Sequence, residues 1–142
     1  MKKEKGDVFL QLIIYLACAT VFILAIASAT AMFLRYEVKI QARCEIERDC
    51  VTFNRFFLDD MKQNDNDQYT VIVTDNAITF PDGDTYLYVD QKVTRNGTVI
   101  VNNAQEFNFA FTEPKTVTVH MVLTKQNLTE QSDNIYVFGR GY

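Results

Sequence analysis

Few side chains in this sequence could do catalytic or metal chemistry. The 142 residues include one histidine, His120, and two serines, Ser28 and Ser132, and Ser28 lies inside a long apolar run. A hydrolytic site needs a nucleophile beside a base, and a zinc site of three cysteines and His120 would have to recruit Cys18 from the same apolar run. The sequence therefore predicts a protein that is not an enzyme and that holds no metal and no cofactor.

The charge balance argues against nucleic acid as a direct partner. The chain has 14 Lys and Arg residues against 18 Asp and Glu residues, which gives a net charge of -4. Binding to a phosphate backbone needs a local excess of positive charge. We therefore expect no direct nucleic-acid binding.

An apolar segment near the N-terminus decides the class of the protein. Residues 12–34 carry no charge, and as a helix they would extend about 34 Å, enough for a bilayer core of about 30 Å. Lys2, Lys3 and Lys5 precede the segment, so the positive-inside rule predicts a cytoplasmic N-terminus and an exported C-terminal part. The sequence thus predicts a single-pass protein of the cell membrane, with its transmembrane helix at residues 7–34.

The helical pattern continues beyond the apolar segment. Residues 35–62 contain no Gly or Pro, and apolar residues recur every three or four positions along one stripe. The stripe consists of Val38, Ala42, Ile46, Cys50, Phe53, Phe57 and Met61. Arg43 and Asp49 are assigned to other faces, where we expect solvent. The helix should end at residues 64–67, whose Asn and Asp side chains favour turns.

After residue 68 the apolar period changes to two, which predicts antiparallel strands. The predicted strands cover residues 69–74, 77–80, 86–94, 98–101, 106–111, 116–123 and 135–138. Asp82-Gly83 and Asn96-Gly97 are strong signals for tight turns between them. The predicted fold class is α+β, with one long N-terminal helix packed on an antiparallel β-sheet, and residues 35–142 form the exported domain.

The alternation also predicts which side chains point inward. The phenylalanines of the 106–111 strand would share one face against the helical stripe. The inward residues of the 116–123 strand would be Val117, Val119, Met121 and Leu123. His120 would then face outward, which favours a surface residue over a ligand. The acidic turns at 64–67 and 82–84 lack the spacing of a calcium loop.

Cys44 and Cys50 are candidates for a disulfide, because they lie in the part of the chain that we expect in an oxidising exterior. In an unbroken helix six residues separate two Cα atoms by about 9 Å, which is beyond the reach of a disulfide. Packed thiols in the helix are therefore the favoured interpretation.

The junction between the leader and the helix has a specific pattern. A short basic leader ends in Gly6, and the apolar helix starts directly after it. This junction resembles the processing site of type IV prepilins and pseudopilins. The resemblance implies that prepilin peptidase cuts after Gly6, which removes residues 1–6 and leaves Asp7 as a methylated first residue. Loss of three Lys and one Glu would change the net charge from -4 to -6.

Two residues depart from the usual pattern of that family. The family usually starts with Phe, where this chain has Asp7, and has Glu at the fifth mature position, where this chain has Gln11. In the family the glutamate pairs with the N-terminal amine of a neighbouring subunit, and an unpaired charge in an apolar setting is costly. Gln11 can donate or accept a hydrogen bond but cannot neutralise an amine. Some tip-located pseudopilins lack this Glu too, so a capping subunit and an uncleaved chain both stay open.

The order of elements narrows the resemblance. The helix end at residues 57–60 is followed by segments 77–80, 85–89, 92–97 and 101–109. This order resembles the J-type minor pseudopilins of type II secretion and the ComGF-like competence pseudopilins. The resemblance implies a minor pilin or pseudopilin, a non-catalytic subunit that primes or caps a type IV pilus-like fibre for DNA uptake or secretion.

The resemblance also implies the partners. The N-terminal helix, with Phe9, Gln11 and Leu12 near its start, would pack against other minor and major pilin subunits. Prepilin peptidase, the membrane assembly platform and membrane lipid would be the other partners. After assembly the protein would be part of the fibre.

A second function stays open. An unprocessed single-pass membrane protein, with an extracellular β domain that binds a ligand or partner, would have the same anchor and the same strands. That function does not account for Gly6 at the start of the helix, or for the long continuation of the helix beyond the apolar segment.

Overall fold

The computed structural model describes residues 2–65, 71–112 and 115–139, with side chains from residue 7 onward. It contains a long helix, α1 (Lys2–Gln63), which ends just before the turn residues as predicted. Eight strands follow: β1 (Ile72–Thr74), β2 (Ala77–Thr79), β3 (Thr85–Val89), β4 (Lys92–Arg95), β5 (Thr98–Asn102), β6 (Ala104–Thr112), β7 (Thr116–Lys125) and β8 (Leu128–Val137). The predicted α+β class is confirmed. The start of the strand predicted at 69–74 lies outside the described residues.

The strands form two antiparallel sheets, whereas the sequence predicted one. Strands β1 to β5 make the first sheet and β6 to β8 the second, each in sequential order. The chain leaves the first sheet at Asn103, whose φ is 58°. This left-handed conformation is one that Asn adopts more readily than most residues, so the chain changes direction between β5 and β6 without a glycine.

The strand predicted at residues 86–94 is wrong, because it is a hairpin of two strands. Val89 of β3 pairs with Lys92 of β4. The two residues between them, Asp90 and Gln91, have φ values of 51° and 60°. Positive φ at both central residues is the geometry of a type I′ turn. Neither of the two residues is a glycine, so the usual sequence signal for this turn is missing. The Asn96-Gly97 turn between β4 and β5 is confirmed.

The last strand is longer than predicted. It begins at Leu128 rather than at residue 135, because Gln126 and Asn127 make another two-residue turn with positive φ. The side of β8 that faces inward carries polar residues such as Glu130, Ser132 and Asn134, so it gives no apolar alternation. The length of β8 is set instead by its pairing with β7 along ten residues.

Residues 41–142 form one compact unit with its own core. The predicted stripe is buried from Ala42 to Met61, apart from the half-buried Cys50, while Val38 is exposed. Phe53 and Phe57 are fully buried, and the ring centroid of Phe53 lies 5.1 Å from that of Phe107 on β6. The inward residues predicted for the 116–123 strand are all buried. Of the three phenylalanines predicted to share a face, Phe111 is only half-buried.

Candidate membrane and assembly helix

The part of α1 in the other unit, residues 1–40, has its described side chains exposed. Every residue from 7 to 40 is exposed, including large apolar ones such as Phe22, Leu24 and Phe33. By length and composition this part of the helix can cross a membrane. A surface of this kind is unfavourable in water and needs lipid or other apolar helices around it.

Three hydroxyl side chains in this apolar segment are satisfied within the helix. The hydroxyls of Thr20 and Ser28 each donate to the carbonyl three residues earlier, over 2.8 Å, and Thr30 donates to the carbonyl of Ile26 over 2.9 Å. Such back-bonding removes the need for water at these groups. These three positions are therefore suited to an apolar environment.

The residues predicted for processing and assembly lie on this helix. Gly6 is a helical residue, and its surroundings are outside the described side chains. Asp7 and Gln11 are exposed, and Phe9 and Leu12 are 65% and 56% exposed. No hydrogen bond of the Gln11 side chain is found among the described residues. The side chains that we expect in subunit packing are thus accessible to a partner.

The two cysteines of the second unit are free thiols with different surroundings. Cys50 is half-buried against the core, as predicted for a packed thiol. Cys44 is exposed, so its predicted packing is wrong, because it lies off the stripe that contains Ala42 and Ile46. Burial, and then the negative charge of Glu130 with that of nearby helix carboxylates, raises the pKa of the Cys50 thiol.

Two acidic residues of α1 are buried, which the sequence analysis did not predict. Asp49 is 7% exposed and Asp60 is 1% exposed, although Asp49 was assigned to a solvent-facing side. Their positions follow the spacing of the stripe, since Asp49 is three residues after Ile46 and Asp60 is three residues after Phe57. The sequence signal for their burial was a charged residue at a core position of the helix. A charged residue at such a position requires a buried partner.

Asp60 is held by a basic and a phenolic group from the first sheet. Arg95 donates two hydrogen bonds to its carboxylate, over 2.8 and 2.7 Å, and the Tyr86 hydroxyl donates another over 2.5 Å. Burial, together with the Asp60 carboxylate, raises the pKa of Tyr86. The hydrogen bond to Asp60 raises the pKa of Arg95. These contacts link the C-terminal part of α1 to β3 and β4.

Asp49 makes a second link between α1 and the first sheet. Its carboxylate accepts the backbone N–H of Asn102 over 3.0 Å and lies 3.2 Å from a guanidinium nitrogen of Arg48. On the opposite side of α1, Asn54 and Tyr136 of β8 are hydrogen-bonded through their side chains. Polar contacts therefore fix the helix on both sides of the buried stripe.

His120 faces outward on β7, as predicted, and contacts acidic residues of both neighbouring strands. Its Nδ1 lies 2.5 Å from Oδ1 of Asp133 on β8, and its Nε2 lies 3.8 Å from a carboxylate oxygen of Glu106 on β6. The hydrogen bond to His120 lowers the pKa of Asp133. Within the described residues, no group of three or more His, Cys, Asp or Glu is arranged to hold a metal ion.

The acidic turns take part in ordinary hydrogen bonds. The side-chain amide of Asn64 donates to Asp82 over 2.7 Å and to the carbonyl of Asp60 over 2.9 Å. Asp84 accepts from Arg95 and from Asn96. The bonds of Asn64 join the end of α1 to the turn before β3, and those of Asp84 join this turn to the end of β4.

The chain was compared with family models, curated proteins and solved structures. It matches none of them.

Proposed function

We propose that this protein is a minor pilin-like subunit, a non-catalytic component of a type IV pilus-like fibre. Its N-terminal helix is held in the cell membrane before assembly, and its sheet domain lies outside. The observation that carries the proposal is that one continuous helix has an exposed N-terminal part and a C-terminal part with a buried stripe. Residues 7–40 are exposed on all sides, while the stripe from Ala42 to Met61 is buried under the sheets.

Assembly replaces one apolar environment of the helix with another. In lipid there is little hydrophobic gain when two helices meet, so close packing must supply the attraction. The segment is rich in small residues that permit close approach: Ala17, Ala19, Ala25, Ala27, Ser28, Ala29 and Ala31. Because the hydroxyls of Thr20, Ser28 and Thr30 bond to their own helix, these three groups need no partner in the fibre.

The start of the helix indicates a specialised position in the fibre. Gln11 stands where the resembled family has a glutamate that pairs with an N-terminal amine. A subunit with Gln11 cannot offer that charge to a neighbour, which favours a role at the start or the tip of a fibre over repeated use along the shaft. Competence DNA uptake and type II secretion are the systems whose subunits the chain resembles.

The direct test is the N-terminus of the protein from its native membrane. Intact mass and N-terminal sequencing should give a chain that starts at a methylated Asp7. A chain that starts at Met1 would contradict processing and would favour the unprocessed anchor with an extracellular binding domain.

A matched pair of variants sharpens this test. Gly6→Leu, expressed with prepilin peptidase, should leave the full leader on the protein and prevent its entry into fibres. Lys5→Gln changes the neighbouring residue and should still be cut after Gly6. If Gly6→Leu has the same N-terminus as the unaltered protein, cleavage after Gly6 is disproved.

A further inference from the structure

A groove lies between α1 and the edge strand β5, within the 41–142 unit. Its volume is 580 Å³, in the range of sites that hold ligands. On the helix side it is lined by Arg48, Thr52 and Phe56. On the strand side it is lined by Thr98, Val99 and Ile100.

The strand side of the groove is an open sheet edge. In the described part of the chain, β5 has β4 as its one sheet neighbour. Arg95 and Thr98 flank the two-residue turn and pair across it, so the next residue, Val99, directs its N–H and C=O away from β4. The N–H of Asn102, at the other end of β5, donates to Asp49 of α1. The edge of β5 therefore faces α1, and Asp49 covers only its far end.

The side chains beside this edge combine a cation with an apolar strip. The Arg48 side chain is 68% exposed, and its contact among the described residues is one oxygen of Asp49. A guanidinium has five N–H donors, so Arg48 can bind a further carboxylate. Val99 is 43% exposed and Phe56 is half-buried beside it. Arg95, by contrast, is occupied by Asp60 and Asp84.

We propose that this groove binds an extended peptide segment of a partner protein that adds to β5 as a further strand. The backbone of the segment pairs with Val99, an apolar side chain contacts Phe56, and an Asp or Glu side chain binds Arg48. A single extended chain fits better than the edge of a folded sheet, because α1 forms the opposite wall of the groove. The inference does not depend on cleavage after Gly6.

The test uses the full chain in lipid nanodiscs and a displayed library of random eight-residue peptides. Selected peptides should carry an Asp or Glu next to β-branched or aromatic residues. Arg48→Gln should weaken their binding about tenfold through loss of a charge-assisted hydrogen bond. Arg43→Gln is the matched control, because Arg43 is also on α1 with a 65% exposed side chain, and it should leave the affinity unchanged.

A second variant tests the backbone pairing. Val99→Pro removes an N–H that faces the groove and removes no hydrogen bond to β4, so an edge strand tolerates it. It should abolish peptide binding while the thermal unfolding midpoint stays close to that of the unaltered protein. Hydrogen exchange at Val99 should be fast in the free protein and slow with the peptide bound.

Several results would overturn the proposal. One is a library that yields no binder, and another is a set of binders without acidic residues. A third is binding that neither Arg48→Gln nor Val99→Pro reduces. Slow exchange at Val99 in the free protein would also refute it, since the edge would then be closed already.

Discussion

Asp60 of α1 and Arg95 of β4 form a bidentate ion pair in which the carboxylate is almost completely buried. The guanidinium and the carboxylate present matching pairs of donors and acceptors, which makes this the strongest geometry for such a pair. Tyr86 completes the set of donors to Asp60. This small cluster links the C-terminal part of the helix to β3 and β4 of the first sheet.

Loss of Arg95 should destabilise the domain strongly. Arg95→Met keeps an unbranched apolar side chain but removes the guanidinium, which lies over the Phe56 ring, and leaves the buried Asp60 without its cation. We expect a loss of about 3 kcal/mol in the free energy of unfolding. Arg43→Met, which removes an exposed pair with Glu47, should cost less than about 1 kcal/mol. Urea unfolding of the full chain in detergent, followed by circular dichroism, measures both. Equal losses would show that the buried pair contributes no more to the free energy of unfolding than the exposed pair does.

The Tyr86 hydroxyl should make stability sensitive to alkaline pH. Its pKa is raised in the folded protein from an ordinary value of about 10. Since the unfolded chain loses this proton first, the contribution of Tyr86 is complete below about pH 10 and declines as the pH rises towards the folded pKa. The decline is at most about 1.4 kcal/mol per pH unit.

Unfolding free energies measured from pH 9 upward should therefore have a shallower slope in Tyr86→Phe than in the unaltered protein. Tyr86→Phe should also be less stable at pH 7 by about 1 kcal/mol, because Asp60 loses a donor. Identical slopes would mean that Tyr86 ionises in the folded protein as it does in a free peptide.

The two cysteines of the folded unit should react at different rates. Cys44 is exposed, while Cys50 is half-buried and its raised pKa reduces the thiolate that attacks a reagent. In variants that keep a single cysteine, maleimide should label Cys44 at least about tenfold faster than Cys50 at pH 7. Equal rates would contradict the packing of Cys50. An intact mass lower by two hydrogen atoms in the native protein would instead establish a disulfide.

The elements with a clear period could be predicted from the sequence. The stripe from Ala42 to Met61 and the alternation from Val117 to Leu123 have the spacing of a helix and of a strand, and each is buried as expected. The Asn96-Gly97 turn has a residue pair that adopts positive φ at low steric cost, as a type I′ turn requires at both central positions. Asp90 and Gln91 make the same kind of turn without a glycine, so local chemistry alone did not identify it.

The candidate assembly helix could also be predicted from the sequence. Its apolar segment is far longer than the interior of so small a domain needs. The groove beside β5 and the role of Arg48 were not predictable. They depend on which strand lies at the edge of the first sheet and on which side of α1 that edge comes to face.

The sequence by itself thus determined the helix, most of the strands and the long exposed apolar surface, because these follow from the local spacing of apolar residues. Only the tertiary structure decided that the strands divide into two sheets and that Asp49 and Asp60 are buried. The physical reason is that a carboxylate can occupy a core position only where distant residues supply its donors. Asn102, Tyr86 and Arg95 reach these carboxylates after the chain has folded.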